Sequence, residues 1–411
     1  MMARVDGLSG EELLRAAEAL PAAGPLLARL SGPADVYLVG GAIRDLLLGL
    51  TPVDLDLVVD GDLAPVTDRL GPPDRLHDRF GTCTIWLDGF GYDVARARTE
   101  SYDHPGALPA VAPATIDDDL RRRDFTVNAL ALGLTGRRRG ELIAVPGAPE
   151  DLRHRRLRVL HDASFRDDPT RLLRLARYGA RLGWRPEQRT AALAAGAVQS
   201  GALATVSGAR IGSELRLLAA EEDPVAGFTA VRALGLDGAI APGFGLADPE
   251  AARRALTLLG TRGDRAAVVL GAAGLGMSAP ALSARLDALA FPAGRRDTIV
   301  AAATRGPALA RALRAASRPS EIAAAVAGTP DEAVALAGGL GAEAPARQWL
   351  DELRDLRLEI GGDDLIAAGI APGPAIGAGL RAALKAKLDG AVHGAGEELA
   401  LALRAAAGED G

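Results

Sequence analysis

The sequence predicts an α/β head, built from a mixed sheet with helices, followed by a long all-α remainder. Three observations carry this prediction. Short apolar runs of strand length, separated by glycine, lie between residues 34 and 145. An Asp88-Gly89 pair between two such runs is a strong signal for a β-hairpin. From about residue 147 onward the chain is rich in Ala and Leu with Gly and Pro punctuation, which is typical of consecutive helices.

Each element of the head follows from its own local pattern. Strands are predicted where apolar residues cluster, and Gly49 is expected to end the first helix. The predicted elements are, in chain order, a buried strand at 36–39, a Gly40-Gly41 turn, a helix at 42–48, a strand at 53–59 and hairpin strands at 82–87 and 92–97. The predicted domains are a head at 1–146, a helical neck at 147–220, a helical body at 221–320 and a helical tail at 321–411.

Composition limits the class of protein. A chain of 411 residues can bury a sizeable core and favours more than one domain. Its single cysteine, Cys83, excludes a disulfide framework and fits a reducing compartment, so we expect a cytoplasmic protein. Ser9-Gly10-Glu11-Glu12 has the pattern of a capping box that opens a helix. The most apolar run, 266–282, is mostly Ala and Gly, and Pro280 interrupts it, which predicts a buried helix pair rather than a membrane span.

Charge is unevenly distributed along the chain. The formal net charge is −6, yet residues 120–185 hold sixteen arginines against seven acidic residues. Such a belt predicts a local polyanion site in a mildly acidic protein. Three arginine runs, at 121–123, 137–139 and 153–158, could be solvated faces or phosphate contacts. With few aromatic residues, recognition of a folded RNA by shape and backbone is favoured over base stacking.

Two carboxylates form the first chemical signal. Asp54 and Asp56 are two apart on a predicted strand, so their side chains share one face. Carboxylates at this spacing suit a pair of Mg²⁺ ions, which can activate one oxygen and stabilise a leaving phosphate. Gly40 and Gly41 allow close approach of the backbone to a triphosphate, and a helix follows them. Asp93, at the start of a hairpin strand, is either a third carboxylate of this site or a solvated residue after a turn.

Three motifs in this order resemble the class II tRNA nucleotidyltransferase and bacterial poly(A) polymerase family. They are Val39-Gly40-Gly41-Ala42-Ile43-Arg44-Asp45 with Asp54-Leu55-Asp56, Arg122-Arg123-Asp124-Phe125-Thr126-Val127-Asn128-Ala129-Leu130, and Asp167-Asp168-Pro169-Thr170-Arg171 with Arg174. The stretch 358–377 also resembles the tail of the CCA-adding members. The resemblance thus spans most of the chain, although 225–350 match only as helices.

The resemblance implies a set of site residues. Asp54 and Asp56 would bind Mg²⁺, and Gly40, Gly41 and Arg44 would face the triphosphate. Asp93 comes from the hairpin pattern and not from the resemblance, and it is the candidate for a further catalytic carboxylate. The remaining expected nucleotide-binding residues are Arg123, Asp124 and Asn128 on the ribose and phosphate side, Asp168 and Arg171 at the base, and Arg174 in the same motif.

Base selection can also be argued from chemistry. Asp168 and Arg171 are three apart on a predicted helix, so they would be neighbours on one face. An acceptor beside a donor matches the edge shared by cytosine and adenine, where an amine adjoins a ring nitrogen. Uracil and guanine present the reverse order, and each wrong pairing strands buried polar groups at about 1–3 kcal/mol apiece. The alternative for this pair is an ordinary surface salt bridge.

The resulting hypothesis is an enzyme that adds C and A residues to the 3′ end of tRNA. The terminal 3′-hydroxyl would attack the α-phosphate of CTP or ATP and expel pyrophosphate, with tRNA as the macromolecular partner and neither a membrane nor a protein partner expected. Residues 101–115 contain no Arg, whereas the equivalent loop in many CCA-adding relatives has one and is linked to the switch from C to A, so a CC-adding or A-adding specialist stays open. Asp167 stands where the family usually has Glu, which would alter how the base-reading pair is braced. A poly(A) polymerase is a further alternative, which the match at 358–377 disfavours. A non-catalytic RNA-binding module and a small-molecule nucleotidyltransferase fit less well.

Overall fold

The computed structural model describes residues 9–30, 34–52, 54–77 and 81–408. Its strands are β1 (Asp35–Val39), β2 (Leu55–Asp60), β3 (Arg75–His77), β4 (Thr82–Leu87), β5 (Phe90–Arg96), β6 (Arg98–Ser101), β7 (Ala110–Pro113), β8 (Leu130–Gly133), β9 (Leu142–Ala144), β10 (Arg156–Leu157) and β11 (Arg185–Pro186). Its helices up to the middle of the chain are α1 (Gly10–Glu18), α2 (Ala23–Arg29), α3 (Gly41–Leu47), α4 (Ala64–Leu70), α5 (Ile116–Arg121), α6 (Ala148–Arg153), α7 (Ser164–Asp167), α8 (Thr170–Leu182), α9 (Gln188–Gln199) and α10 (Gly208–Ala219).

The remaining helices are α11 (Pro224–Ala233), α12 (Asp237–Ile240), α13 (Pro249–Leu259), α14 (Arg265–Ala273), α15 (Ala279–Ala288), α16 (Ala293–Ala315), α17 (Pro319–Val326), α18 (Asp331–Ala337), α19 (Glu343–Gln348), α20 (Gly362–Ala367), α21 (Pro374–Leu388) and α22 (Gly394–Ala407). The predicted fold class, a mixed sheet with helices followed by a helical remainder, is confirmed. The chain divides into two compact units. The first unit runs to Glu214 and includes Leu234–Ala239, and the second comprises Leu215–Ala233 and the chain from Ile240 onward. The bounds of the four predicted domains stay predictions.

A seven-stranded sheet in the order β3-β4-β5-β2-β1-β8-β9 forms the centre of the first unit. Strand β2 is antiparallel to β1 and parallel to β5, and the other neighbours in the sheet pair antiparallel. The predicted hairpin is present: Asp88 and Gly89 have φ of +50° and +87°, the two positive values that a tight turn of this length uses. The parallel β2–β5 pair is the feature that brings distant residues of the head together.

The predicted strand at 53–59 needs a correction at its start. Strand β2 begins at Leu55, so Asp54 precedes it, and Val53 lies outside the described residues. The alternation is as expected, because Leu55 and Leu57 are buried while Asp54 and Asp56 are exposed. The capping box at the first helix is also present, with Ser9 as N-cap and Glu12 accepting from its backbone N–H at 2.7 Å.

Helices build the second unit. The apolar run at 266–282 spans parts of two helices, α14 and α15, as the sequence predicts. No helix among the described residues combines the length and the apolarity that crossing a membrane requires. The last three helices share a small core around Leu365, Ala383 and Ala402. Beside it Glu398, which is fully buried, accepts hydrogen bonds from Lys387 Nζ at 2.5 Å and from the backbone of Glu359 at 2.8 Å.

Candidate active site

The bend after β1 requires glycine. Gly40 has φ +71° and ψ −128°, a conformation that only glycine adopts without strain, and its N–H donates to the Leu130 carbonyl at 3.0 Å. A Cβ at position 40 would lie 2.9 Å from Nη1 of Arg123. Helix α3 starts directly afterwards at Gly41. The backbone of residues 40 and 41 is therefore not covered by a Cβ of its own and lies next to Arg123.

The carboxylates meet across the parallel strand pair. Asp56 on β2 and Asp93 on β5 are register partners on strands about 4.8 Å apart. Thr84 Oγ1, on the next strand, donates to Asp93 Oδ1 at 2.6 Å. The sequence alone left open whether Asp93 joins this site, and the register shows that its backbone lies directly beside that of Asp56.

The negative charge of Asp54, Asp56 and Asp93 is only partly compensated by nearby arginines. The pKa of Asp56 is raised to about 6, because the surrounding protein restricts hydration of its carboxylate and because Asp93 and Asp54 add negative charge that Arg123 only partly offsets. In the described part of the chain no three His, Cys, Asp or Glu side chains converge as a ready-made metal cage. Mg²⁺ does not need one, since it usually takes one or two carboxylates and completes its shell with water and substrate phosphate. Asp54 and Asp56 therefore fit such an ion.

A cavity of about 450 Å³ extends from Asp56. It brings together most of the predicted nucleotide-binding residues. Those that line it are Gly40, Gly41, Arg123, Asp124, Asn128, Asp168, Arg171 and Arg174. Arg44 is not among them. The resemblance implies that Arg44 faces the triphosphate. In the structure Arg44 is buried, with 1% of its surface exposed. Its guanidinium donates to Asn128 Oδ1 and to Asp45 Oδ1, at 2.7 Å each. Arg44 therefore does not line the cavity but supports its wall through the hydrogen bond to Asn128.

Asp124 is the centre of a buried polar network. Its Oδ2 accepts from Arg174 Nε at 2.8 Å, and its Oδ1 accepts from Asn128 Nδ2 at 3.1 Å. Burial alone would raise the pKa of Asp124, yet that pKa is lowered to about 2 by the Arg174 guanidinium and by the hydrogen bonds from Arg174 and Asn128. Asp124 is therefore ionised and fixed in place at any pH near neutrality.

The base-reading pair is arranged differently from the expectation. Asp168 precedes α8 in an extended conformation, so the two residues are not on one helix face, and Arg171 alone is on the helix. Asp168 Oδ1 accepts from the backbone N–H of Thr170 at 3.0 Å and from Arg210 Nη2 at 2.7 Å. Arg171 donates to Ser164 Oγ at 2.6 Å and to the Arg122 carbonyl at 2.7 Å. Both residues nevertheless line the same cavity.

Further residues of the site were missed from the sequence. They are Tyr178, Arg210, Glu214, Arg122 and Glu100, all of which line the cavity. Tyr178 stands four residues after Arg174 on α8, a helical spacing that could have indicated it. Three guanidinium groups lie 4.7–5.6 Å from its ring centroid, those of Arg44, Arg174 and Arg177. Arg210 and Glu214 are on α10, and no local pattern connects them with the rest.

The fold and the site define a nucleotidyltransferase: a glycine bend, paired carboxylates on a mixed sheet and a cationic cavity of nucleotide size. Residues 36–158 match the family model described as "Poly A polymerase head domain". The chain is 37% identical to the CC-adding tRNA nucleotidyltransferase of Deinococcus radiodurans over 92% of this chain and 91% of that protein. It is 44% identical to the A-adding tRNA nucleotidyltransferase of Halalkalibacterium halodurans, but over only 47% of each chain.

Solved structures agree with this class. The CCA-adding enzyme of Thermotoga maritima, complexed with tRNA_CCA, superposes with a TM-score of 0.78 at 28% identity, over 96% of this chain and 98% of that one. The chain belongs to the class II tRNA nucleotidyltransferase family. Nucleotidyltransferases of this kind generally use a divalent metal.

We predict that Gly40→Ala destabilises the protein by about 1–3 kcal/mol, because alanine is strained at the φ and ψ of this bend. The Cβ also displaces Arg123, so the KM for nucleoside triphosphate should rise. Urea unfolding and steady-state kinetics measure the two effects. Gly24→Ala is the control, since a Cβ there meets nothing within 4 Å and lies in helix α2. Equal stability of the two variants would contradict the prediction.

We also predict that Asp124→Asn lowers the free energy of unfolding by about 3 kcal/mol, because it removes the nearer of the two carboxylates that pair with the Arg174 guanidinium and leaves only Glu214. A carboxylate whose pKa is lowered by folding stabilises the fold fully at a pH above the pKa that it has in the unfolded state, which is near 4. This stabilisation is lost only as the pH falls toward its folded-state pKa of about 2. The difference from wild type in urea unfolding should therefore be constant from pH 5 to pH 8.

The matched control is Asp162→Asn. It breaks an exposed ion pair with Arg189, so it should cost less than about 1 kcal/mol. A loss at Asp124 no larger than this, or one that fades between pH 8 and pH 5, would refute the assignment.

Proposed function

We propose that this protein adds C and A residues to the 3′ end of tRNA, without a nucleic-acid template, from CTP and ATP. One observation carries the proposal: a single cavity is lined by Asp56 at the carboxylates and by Asp168 and Arg171 at the predicted base position. One cavity can therefore hold both the triphosphate and the base of a nucleotide. The similarity to CC-adding, A-adding and CCA-adding proteins supports the same conclusion.

The residues of the chain have distinct parts in this reaction. The open backbone at Gly40 and Gly41, together with Arg123, faces the phosphates, and Asp124 with Asn128 faces the ribose side. A Mg²⁺ pair bound at Asp54 and Asp56 would lower the cost of charge that develops on the attacking and leaving oxygens. Asp93, held by Thr84, is the carboxylate nearest Asp56 across the strands and is placed to accept the proton of the incoming 3′-hydroxyl.

Base selection rests on hydrogen-bonding capacity that the protein leaves unused. Asp168 Oδ2 has no hydrogen-bond partner among the described residues and can accept from the exocyclic amine of C or A. Arg171 uses two of its N–H groups within the protein and has others for the adjacent ring nitrogen. Uracil and guanine would place an oxygen against Asp168, which is unfavourable.

The arginine runs support an RNA partner unequally. Arg121 pairs with Asp118, and Arg122 and Arg123 share Asp119. The 137–139 run is likewise paired to carboxylates. Around a cavity of about 520 Å³, Arg155, Arg156 and Arg185 have no ion-pair partner among the described residues. The surface formed by Arg155, Arg156 and Arg185 therefore has cations available for the tRNA backbone. Work on tRNA agrees with a cytoplasmic location.

A CC-adding specialist is the second candidate. A relative that matches over nearly the whole chain is a CC-adding enzyme, and residues 101–115 contain no Arg. In the structure a cation reaches this loop from α10, since Arg210 donates to the Gly106 carbonyl at 3.0 Å and also pairs with Asp168. The experiment offers three tRNA substrates, which lack CCA, CA or A, with CTP and ATP separately. The products distinguish full addition from CC-only and A-only addition. A homopolymer tail would indicate a poly(A) polymerase.

We predict that Asp56→Asn lowers nucleotide incorporation by about 1,000-fold, which corresponds to about 4 kcal/mol of lost metal-dependent stabilisation. Affinity for tRNA should change by less than about threefold, because the carboxylate does not carry RNA binding. Incorporation is measured on tRNA lacking CCA, and affinity by filter binding. Asp62→Asn, a change of the same charge beyond the other end of β2, should leave both unchanged. Near-normal incorporation by the Asp56 variant would disprove the metal assignment.

We predict that Asp168→Asn reduces the preference for CTP over UTP at least about tenfold, since an amide can present a donor where the carboxylate accepts. The remaining oxygen can still accept from Thr170, so the fold should be retained. Single-turnover rates with each of the four nucleotides measure the preference. An unchanged ratio would show that Asp168 does not read the base.

A further inference from the structure

The side chain of Thr84 contacts one of the candidate catalytic carboxylates directly. Thr84 on β4 and Asp93 on β5 are register partners across the β4–β5 hairpin, and Thr84 Oγ1 donates to Asp93 Oδ1 at 2.6 Å. This distance is short for a hydroxyl donor, as is typical when the acceptor is charged. Asp93 is the carboxylate proposed to accept the proton of the 3′-hydroxyl, so the contact that fixes its side chain affects the chemical step.

Little else fixes the side chain of Asp93. The residue is exposed, and its Oδ2 has no hydrogen-bond partner among the described residues. On the next strand lies Asp56, and the negative charges of the two carboxylates oppose each other, which contributes to the raised pKa of Asp56. An exposed aspartate has several accessible rotamers, and repulsion from a neighbouring carboxylate favours those that turn away from it. The hydrogen bond from Thr84 opposes this rotation.

The order of the strands determines which oxygen of Asp93 is held. Strands β4 and β2 lie on opposite sides of β5, so Thr84 holds Asp93 from the side away from Asp56. A carboxylate accepts through two oxygens, and the bond to Thr84 engages only Oδ1, which leaves Oδ2 for a ligand. Because threonine is branched at Cβ, its χ1 angle is restricted, and its hydroxyl is limited to few positions. Thr84 is therefore suited to fix the carboxylate in one orientation.

A second threonine on the same strand provides a comparison. Thr82 and Thr84 are two residues apart, so they share one face of β4, and both are half-buried. Both line a cavity of about 350 Å³ that Asp56 and Asp93 also line. The hydroxyl of Thr82 has no hydrogen-bond partner among the residues that the structure describes. The contact with Asp93, and not the presence of a hydroxyl in this cavity, therefore distinguishes Thr84.

We propose that Thr84 is a positioning residue for the chemical step: its hydroxyl holds Asp93 so that Oδ2 receives the proton of the attacking 3′-hydroxyl. The 3′ oxygen forms a bond to the α-phosphorus, the bond from that phosphorus to the bridging oxygen breaks, and pyrophosphate leaves with the electron pair. This inference rests on the proposed function and goes beyond it, because it assigns a part in the reaction to a neutral side chain that does not touch the reacting atoms.

The first test compares Thr84→Val, which keeps the shape of the side chain and removes the donor, with Thr82→Val as the matched control. Thr84→Val should lower the single-turnover rate of CMP incorporation about tenfold, while the KM for CTP and the KM for tRNA each stay within about twofold. Thr84→Ser, which restores the donor, should reach a rate within about threefold of the wild type. Thr82→Val should leave the rate unchanged.

A threonine that only pairs two strands contributes to stability and would not separate the rate from the KM values in this way. Equal rates in Thr84→Val and Thr82→Val would therefore overturn the proposal.

A double variant tests whether Thr84 acts through Asp93. Once Asp93→Ala has removed the carboxylate, the addition of Thr84→Val should change the remaining rate by less than about 1.5-fold, because the two residues act as one unit. A further loss of about tenfold in the Asp93→Ala background would show that Thr84 contributes by another route, and the positioning role would be wrong.

Crystal structures of the variants give a readout that is independent of turnover. In the wild type and in Thr82→Val the carboxylate of Asp93 should have the same orientation, whereas in Thr84→Val it should turn away from the cavity. If the wild type adds no nucleotide to any tRNA substrate, the proposed function fails, but the structures still decide whether Thr84 orients Asp93. If the wild type is active and Asp93 keeps its orientation in Thr84→Val, the positioning role is refuted.

Discussion

The ion pair between Asp124 and Arg174 is the contact on which the arrangement of the site depends. It connects the segment after α5 to helix α8, fifty residues further along the chain. Burial opposes an ionised carboxylate here, yet the pKa of Asp124 is lowered to about 2, so attraction exceeds the cost of desolvation by about 2 kcal/mol. From this pair the contacts extend to Asn128 and Arg44 on one side and to Glu214 on the other.

This network has a consequence for catalysis. The guanidinium groups that line the cavity are held by the protein itself, Arg174 by Asp124 and the face of Tyr178, and Arg171 by the Ser164 hydroxyl and the Arg122 carbonyl, so the positive groups keep their positions without a ligand. A site whose dipoles and charges are already oriented pays little reorganisation when a triphosphate enters. The exception is the carboxylate group around Asp56, where negative charge is not balanced by the protein alone. Arg123 and Arg174 offset that charge only in part, which agrees with the proposal that a metal ion binds at this position.

Local features of the fold were predictable from the sequence because their causes are local. The Asp88-Gly89 turn, the need for glycine at position 40 and the alternation around Asp56 each follow from a few neighbouring residues. The parallel pairing of β2 with β5 was only a possibility, since nothing near either strand states its partner. The burial of Arg44 was not predicted because one of its partners, Asn128, is 84 residues away, although the other, Asp45, is its neighbour in sequence. The position of Asp168 was not predicted because the residue before a proline favours an extended backbone, so α8 begins only at Thr170, after Pro169.

The pairing of Asp56 with Asp93 also explains how one site can serve two substrates. The cavity proposed to hold the nucleotide base is lined in part by α8, the turn before it and α10, whereas the other cavity beside Asp56 is lined by the hairpin together with Val39, Leu57 and Val58. The two cavities share Asp56, Arg122 and Arg123. On the proposed function, a change at Asp168 or Arg210 would alter which base is chosen without moving the strand that presents Asp93. The proposal thereby assigns the chemistry to the sheet and the choice of nucleotide to the helices, and the chain is similar to both A-adding and CC-adding proteins.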